Sequence, residues 1–193
     1  MRPFSLALLA AIAAPALAQP APDPTPVVYL PGGASEEACY GQWVTRAAVR
    51  AYSAPTGQSR HIRTVDAERR VDANDYSESL TAVLRPGRAE VRRPVEAVAR
   101  RLVAERPEAI RLGEGDEVTV LAPAGEGSLY LSFGGAVWVG ELPGYGVGGG
   151  AVVETLAPVT EVWVRLIEHG EDRPAAWLNT AQAGVVPREP FCL

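Results

Sequence analysis

Glu117-Val-Thr-Val-Leu121, a turn at Ala124-Gly-Glu-Gly127 and Ser128-Leu-Tyr-Leu-Ser-Phe133 lead through Gly134-Gly135 into Ala136-Val-Trp-Val139. In each run, β-branched or aromatic residues alternate with small or polar ones, the period of a half-buried strand. The paired glycines tolerate positive φ, so the second connection is a two-residue hairpin turn. Three short strands joined by glycine turns describe an antiparallel meander, and from it the chain reads as mostly β.

The pattern extends in both directions. Upstream, Trp43-Val-Thr-Arg-Ala-Ala-Val-Arg-Ala-Tyr-Ser53 reads as one strand that stops at Ala54-Pro-Thr-Gly57. His61-Ile-Arg-Thr-Val65, Arg70-Val-Asp-Ala73 and Leu80 to Leu84 follow, the last closed by Pro86-Gly87. Downstream, Glu161-Val-Trp-Val-Arg-Leu-Ile167 and Ala175-Ala-Trp-Leu178 flank the polar turn His169-Gly-Glu-Asp-Arg-Pro174 as a hairpin. One segment departs from this period. In Pro94 to Arg106, residues Val95, Val98, Ala99, Leu102 and Val103 fall at helical spacing, with Pro94 suited to a first turn and Pro107 barring continuation. The spacing predicts a helix of about three turns.

The N-terminus reads as a targeting segment. Arg2 precedes an apolar run, Phe4 to Leu17, interrupted only by Ser5 and Pro15, and Ala16-Leu17-Ala18 offers the small-x-small pattern of a signal-peptidase site. Residues 1–18 are therefore expected to be a signal peptide, the protein periplasmic or secreted, and the mature chain to begin at Gln19. The run is shorter than the ~20 residues of a permanent span. An uncleaved anchor is the competing reading. No cysteine follows the run directly, so a lipid anchor has no attachment point. The stretch Gln19-Pro-Ala-Pro-Asp-Pro-Thr-Pro26 reads as an extended spacer, since proline fixes φ and removes amide donors.

Charge and cysteine content narrow the function classes. A net charge of −5 supplies no positive field for nucleic acid, and every basic residue is arginine. In an oxidising compartment the two cysteines, Cys39 and Cys192, are expected to pair and tie the ends of the fold. In the chain-entropy model so long a loop is stabilised by about 5 kcal/mol. Two unpaired buried cysteines are the alternative. Two cysteines and two distant histidines lack the spacing of a zinc site, and neither a metal nor a cofactor is expected.

Several residues together resemble a family. Val49-Arg-Ala-Tyr-Ser-Ala-Pro-Thr-Gly-Gln-Ser-Arg-His-Ile-Arg-Thr-Val65 resembles the opening of a bacterial SH3-like domain of the cell envelope, where a strand with an arginine enters a proline-containing loop. Gly115 to Gly127, followed by Tyr130, Phe133 and Trp138, resembles the opening of a second. Val162-Trp-Val-Arg-Leu166 with Ala176-Trp-Leu178 is similar to the closing hairpin, although Ala176 stands where that family carries glycine. The resemblance implies a mostly β, antiparallel fold of two small SH3-like barrel portions, 39–93 and 108–193. A helical connector, 94–107, bridges them, and a spacer, 19–38, leads in. It also implies a binding module for peptidoglycan peptides or partner proteins.

Candidate ligand-binding residues follow from the aromatics. Tyr40, Tyr52, Tyr130, Trp138, Trp163 and Trp177 are the aromatics that could line a groove, although on the strands of a small barrel most aromatics are core. Tyr52, Tyr130, Trp138 and Trp163 are the candidates, with Tyr52 and Tyr130 favoured for a surface because a tyrosine keeps a polar tip. Between Arg85 and Arg111 eight arginines face four glutamates, which fits either a solvated face or an anionic partner. Asp66, Glu68, Asp72, Asp75 and Glu78 match no calcium loop. Gly144-Tyr-Gly-Val-Gly-Gly-Gly150 lacks phosphate-loop spacing and reads as a mobile linker or a long barrel loop.

No catalytic residue is assigned. His61 and His169 are the only imidazoles, and no nucleophile elbow or His-Glu-x-x-His pair occurs. Glu168, Glu171 and Asp172 surround His169 but share its turn, where charged side chains face water. Three classes remain: an envelope module binding peptidoglycan, a partner or inhibitor of another exported protein, and, least supported, a wall hydrolase.

Overall fold

A computed structural model describes residues 28–32, 42–72, 79–103, 106–125, 127–166 and 175–187. The signal segment 1–18, the proline stretch to Pro26, Cys39, Tyr40, Asp75, Glu78, the turn holding His169, and Cys192 lie outside the described residues. Within them the chain is strand and turn, arranged in three antiparallel sheets without a helix.

The meander forms as its sequence predicts. β10 (Glu117–Gly125), β11 (Ser128–Phe133) and β12 (Ala136–Gly140) pair in succession. Gly134 and Gly135 turn the second corner at φ 58° and 77°, a region that suits glycine. They form the middle of a seven-stranded sheet in the order β13 (Val152–Leu156), β7 (Gly87–Val91), β10, β11, β12, β8 (Val95–Arg101), β9 (Pro107–Leu112). Every strand sends a residue into one buried cluster that includes Val152, Val91, Val118, Leu131, Trp138, Ala97 and Leu112. A flat sheet cannot cover its own face, so this one curls until its inner side chains meet. Among the described residues no strand pairing joins β9 to β13, and the curl stays open rather than closing as a barrel.

The predicted helix over 94–107 is not formed. Its residues become β8, and Pro107 opens β9 as the returning arm of a hairpin in which Val95 faces Leu112 and Ala99 faces Glu108. Period two wins because Val95, Ala97 and Ala99 turn inward against the curled sheet. Val98 and Val103, which the helix would have buried, are 60% and 95% exposed. The other face carries the Glu96–Arg111 ion pair at 3.2 Å, joining residues directly opposite in register.

A second correction concerns Trp43 to Ser53. The run is two strands, β2 (Gln42–Thr45) and β3 (Val49–Tyr52), in different sheets. The corner is pinned by buried Thr45, whose hydroxyl donates to the Asp66 carbonyl at 2.6 Å and accepts from the Arg69 amide at 3.0 Å. β2 lies between β16 (Val185–Pro187) and β5 (Arg70–Asp72) in a three-stranded sheet. β3 joins a six-stranded sheet in the order β1 (Val28–Pro31), β6 (Ser79–Arg85), β14 (Val159–Leu166), β15 (Ala176–Asn179), β3, β4 (His61–Val65). The predicted 161–178 hairpin is present as β14 and β15. The two sheets pack face to face over Trp43, Val49, Ala51, Val71, Val162, Val164, Leu178 and Val185.

The curled sheet is an insertion into this sandwich. β6 runs through Pro86 into β7, and β13 returns through Ala157-Pro158 into β14. The two crossings stay paired on both sides of the joint, β6 with β14 and β7 with β13. Gly87 sits at the joint, where a Cβ would lie 2.6 Å from the Leu156 carbonyl oxygen and 2.7 Å from the Pro158 ring. Beside the joint a third cluster closes the seam: Leu30 and Val83 from the sandwich meet Leu121, Ala122 and Tyr130 from the curled sheet. β1, which supplies Leu30, falls inside the segment read as spacer. The alternating prolines end at Pro26, and Val28–Pro31 beyond them pairs with β6.

The glycine-rich loop between β12 and β13 is folded. Its backbone bonds Tyr145 to Leu142 and Gly150 to Val147, and the Tyr145 ring packs on the inserted core. No helix among the described residues is long and apolar enough to cross a membrane.

Candidate functional site

Strand alternation gives the six-stranded sheet an inner face toward Trp43 and an outer face turned away from it. Register then decides which outward side chains are neighbours. Arg165 on β14 lies opposite Trp177 on β15, Trp177 opposite Tyr52 on β3, and Tyr52 opposite His61 on β4. Four strands thus contribute one row, with a bulge between Ala51 and Tyr52 at its β4 end. Trp163 occupies the adjacent row beside Leu80 and Asn179, and Tyr29 sits one row further, facing Ala82, which in turn faces Glu161.

The row is anchored by ring contacts. The Tyr52 ring meets Trp163 edge to face, centroids 5.8 Å apart and planes at 78°, and meets His61 at 6.4 Å and 65°. Such T-shaped pairs satisfy the ring quadrupoles and fix the tyrosine plane. Trp163 is wholly buried, its indole N–H donating to the Glu161 carboxylate at 3.2 Å. Tyr52 and Trp177 remain half-buried, and Arg165 and His61 are exposed. Partial burial, and then the negative charge of Glu161, raise the Tyr29 hydroxyl above its ordinary pKa.

Of the four sequence candidates, Tyr52 and Trp163 are brought together here. Tyr130 and Trp138 belong to the inserted sheet and to different clusters. Tyr130 is not a surface residue. It is 4% exposed, and its hydroxyl donates to the Pro31 carbonyl at 2.6 Å, so its polar tip is satisfied by backbone across the seam instead of by water. Trp138 is 7% exposed, its N–H donating to the Phe133 carbonyl at 3.0 Å, with the Arg101 guanidinium 5.0 Å over its ring. That cation–π contact caps the end of the inserted core.

Arginines in the basic stretch are partly absorbed by glutamates. Arg88 pairs with Glu117, Arg92 with Glu90, Arg101 with Glu108 and Arg111 with Glu96, at 2.9 to 3.8 Å and all well exposed. This is a charge-laced surface in which each pair contributes little, about 0–1 kcal/mol. Among the described residues no group of three or more His, Cys, Asp or Glu side chains could hold a metal ion.

Tyr29 and Arg165 carry no reading as site residues in the sequence, and Trp177 is among its six groove aromatics but not among the four candidates. Tyr29 follows directly on the proline stretch, and the Val-Tyr-Leu pattern around it was the available strand signal. The place of Trp177 beside Tyr52 depends on pairing between strands more than 120 residues apart, 52 against 177. No known family model, curated protein or solved structure matches this chain.

Proposed function

We propose that this chain is an exported, non-catalytic binding module of the cell envelope that engages peptidoglycan through the outer face of its six-stranded sheet. The observation that carries this reading is the in-register row of Trp177 and Tyr52, half-open to solvent, with Tyr52 braced edge to face by buried Trp163 in the adjacent row. Rigid, amphipathic rings offer a large contact area at low entropic cost, which suits the C–H faces of sugars and peptide stems. The signal peptide, the Cys39–Cys192 bond and the SH3-like character of the two portions belong to the same proposal. Short antiparallel strands joined by tight turns support it.

The protein from Gln19 to Leu193, oxidised, is expected to sediment with purified sacculi at both low and high salt. Tyr52→Ala should remove that binding with little loss of stability. Absence of sedimentation at either salt rejects the reading and favours a protein partner. The feature that favours this second function is the pair of edges, β9 and β13, that have no strand partner among the described residues, because an open edge can accept a strand from another chain through backbone bonds alone.

A further inference from the structure

We infer that the row Arg165–Trp177–Tyr52–His61 takes a glycan bearing an acidic peptide stem, the sugar ring stacked on Trp177 and Tyr52 and a stem carboxylate paired with Arg165. The inference rests on the peptidoglycan reading above and specifies which chemistry of that polymer is held.

Three observations carry it. First, the four side chains are register partners on neighbouring strands, with a bulge between Ala51 and Tyr52 bringing His61 opposite Tyr52, so they follow one row across about 14 Å of sheet. An apolar platform in the middle with polar groups at both ends fits a ring with a substituent better than it fits a flat apolar partner. Second, the platform is preorganised, because Tyr52 is wedged between Trp163 and His61 and does not need to be ordered on binding. Third, Arg165 is exposed, has no carboxylate partner among the described residues and, unlike other exposed arginines without such a partner, for example Arg50, Arg85 and Arg100, stands directly opposite an aromatic side chain, Trp177. A planar guanidinium beside a ring platform is suited to a bidentate carboxylate contact.

Net charge supports the same view. At −5 the protein as a whole repels an anionic polymer, so an acid must be recognised by one directed cation and not by a broad basic field. Salt should therefore weaken binding only modestly.

The test compares wild type, Arg165→Gln and Trp177→Ala on native sacculi, on sacculi whose carboxyl groups have been amidated, and in competition with muropeptide, free stem peptide and neutral chito-oligosaccharide. Arg165→Gln is exposed and should fold normally; Trp177→Phe stands in if the alanine variant unfolds. Arg165→Gln is expected to weaken binding to native sacculi about tenfold, the size of one charged hydrogen-bond contact, and to leave binding to amidated sacculi unchanged. Trp177→Ala should weaken binding to both. Equal wild-type binding to native and amidated sacculi, or no response to Arg165→Gln, overturns the inference while the wall-binding reading stands. Competition by free stem peptide as strong as by muropeptide overturns the sugar contact. Failure of the wild type to bind native sacculi overturns both.

Discussion

Trp163 and Trp138 are both shut away from water, one in the sandwich and one in the inserted sheet, yet they are placed to do different work. Trp138 points into the curled core and is capped by an arginine. Trp163 points away from the sandwich core and is covered in part by Tyr52, which is itself half-open. Burial alone does not separate a core residue from the floor of a surface. The residue lying on top of it does.

The largest test of that contrast is Trp138→Ala. Removing a large ring from a well-filled core costs about 3–5 kcal/mol, and urea unfolding should show it as a matching loss of stability. The folded fraction should still bind sacculi. If folded Trp138→Ala no longer binds, the division between a structural and a binding tryptophan is wrong. Next in size is Gly87→Ala at the joint between the two regions. Its new Cβ has only backbone oxygen and a proline ring to meet, and overpacking of this kind costs about 1–3 kcal/mol. A calorimetric melt unchanged from wild type would mean that the crossing relaxes freely.

The seam gives a smaller and more specific effect. Tyr130→Phe keeps the ring and removes one hydrogen bond to Pro31, leaving its carbonyl short of a donor, for about 1 kcal/mol. Faster hydrogen exchange should then appear in β1 before it appears in β7. The smallest effect is a pH dependence. Burial, a hydrogen bond to Glu154 and that carboxylate's charge all raise the Tyr145 hydroxyl above its ordinary 10.0, so the folded protein holds this proton longer than the unfolded chain does. Stability from this group is complete below about pH 10 and falls as pH rises further. Tyr145→Phe should flatten that alkaline decline, read from unfolding midpoints between neutral and strongly alkaline buffer.

Where the sequence was legible, the signals were local. The meander over 117–139 and the 161–178 hairpin were readable because glycine turns and alternation sit within a few residues of one another. The segment 94–107 misled because Ala97 and Ala99, its inward residues, are weak markers of an apolar face, while the exposed Val98 and Val103 imitate a helical stripe. The corner after Thr45 was invisible for a different reason: its hydrogen bonds go to residues more than twenty positions on. The site was half readable. Tyr52 and Trp163 could be named as aromatics, but their meeting, and the company of Trp177 and Arg165, is set by register among β14, β15 and β3. Tyr130 was misplaced because a tyrosine's hydroxyl is as well served by a carbonyl as by water.

The insertion of one sheet into another also sets an order of assembly. β7 to β13 form a continuous stretch, so every pairing of the inserted sheet lies within residues 87–156. The sandwich needs β14, β15 and β16 from the far end of the chain to pair with β6, β3 and β2, and bringing such distant segments together is slow. The outer row is therefore the last part of the molecule to exist: the chain gains its middle before it gains its recognising surface. A deuterium pulse during refolding should protect the amides of β10 and β11 ahead of those of β3 and β15, and simultaneous protection would refute the sequence of events.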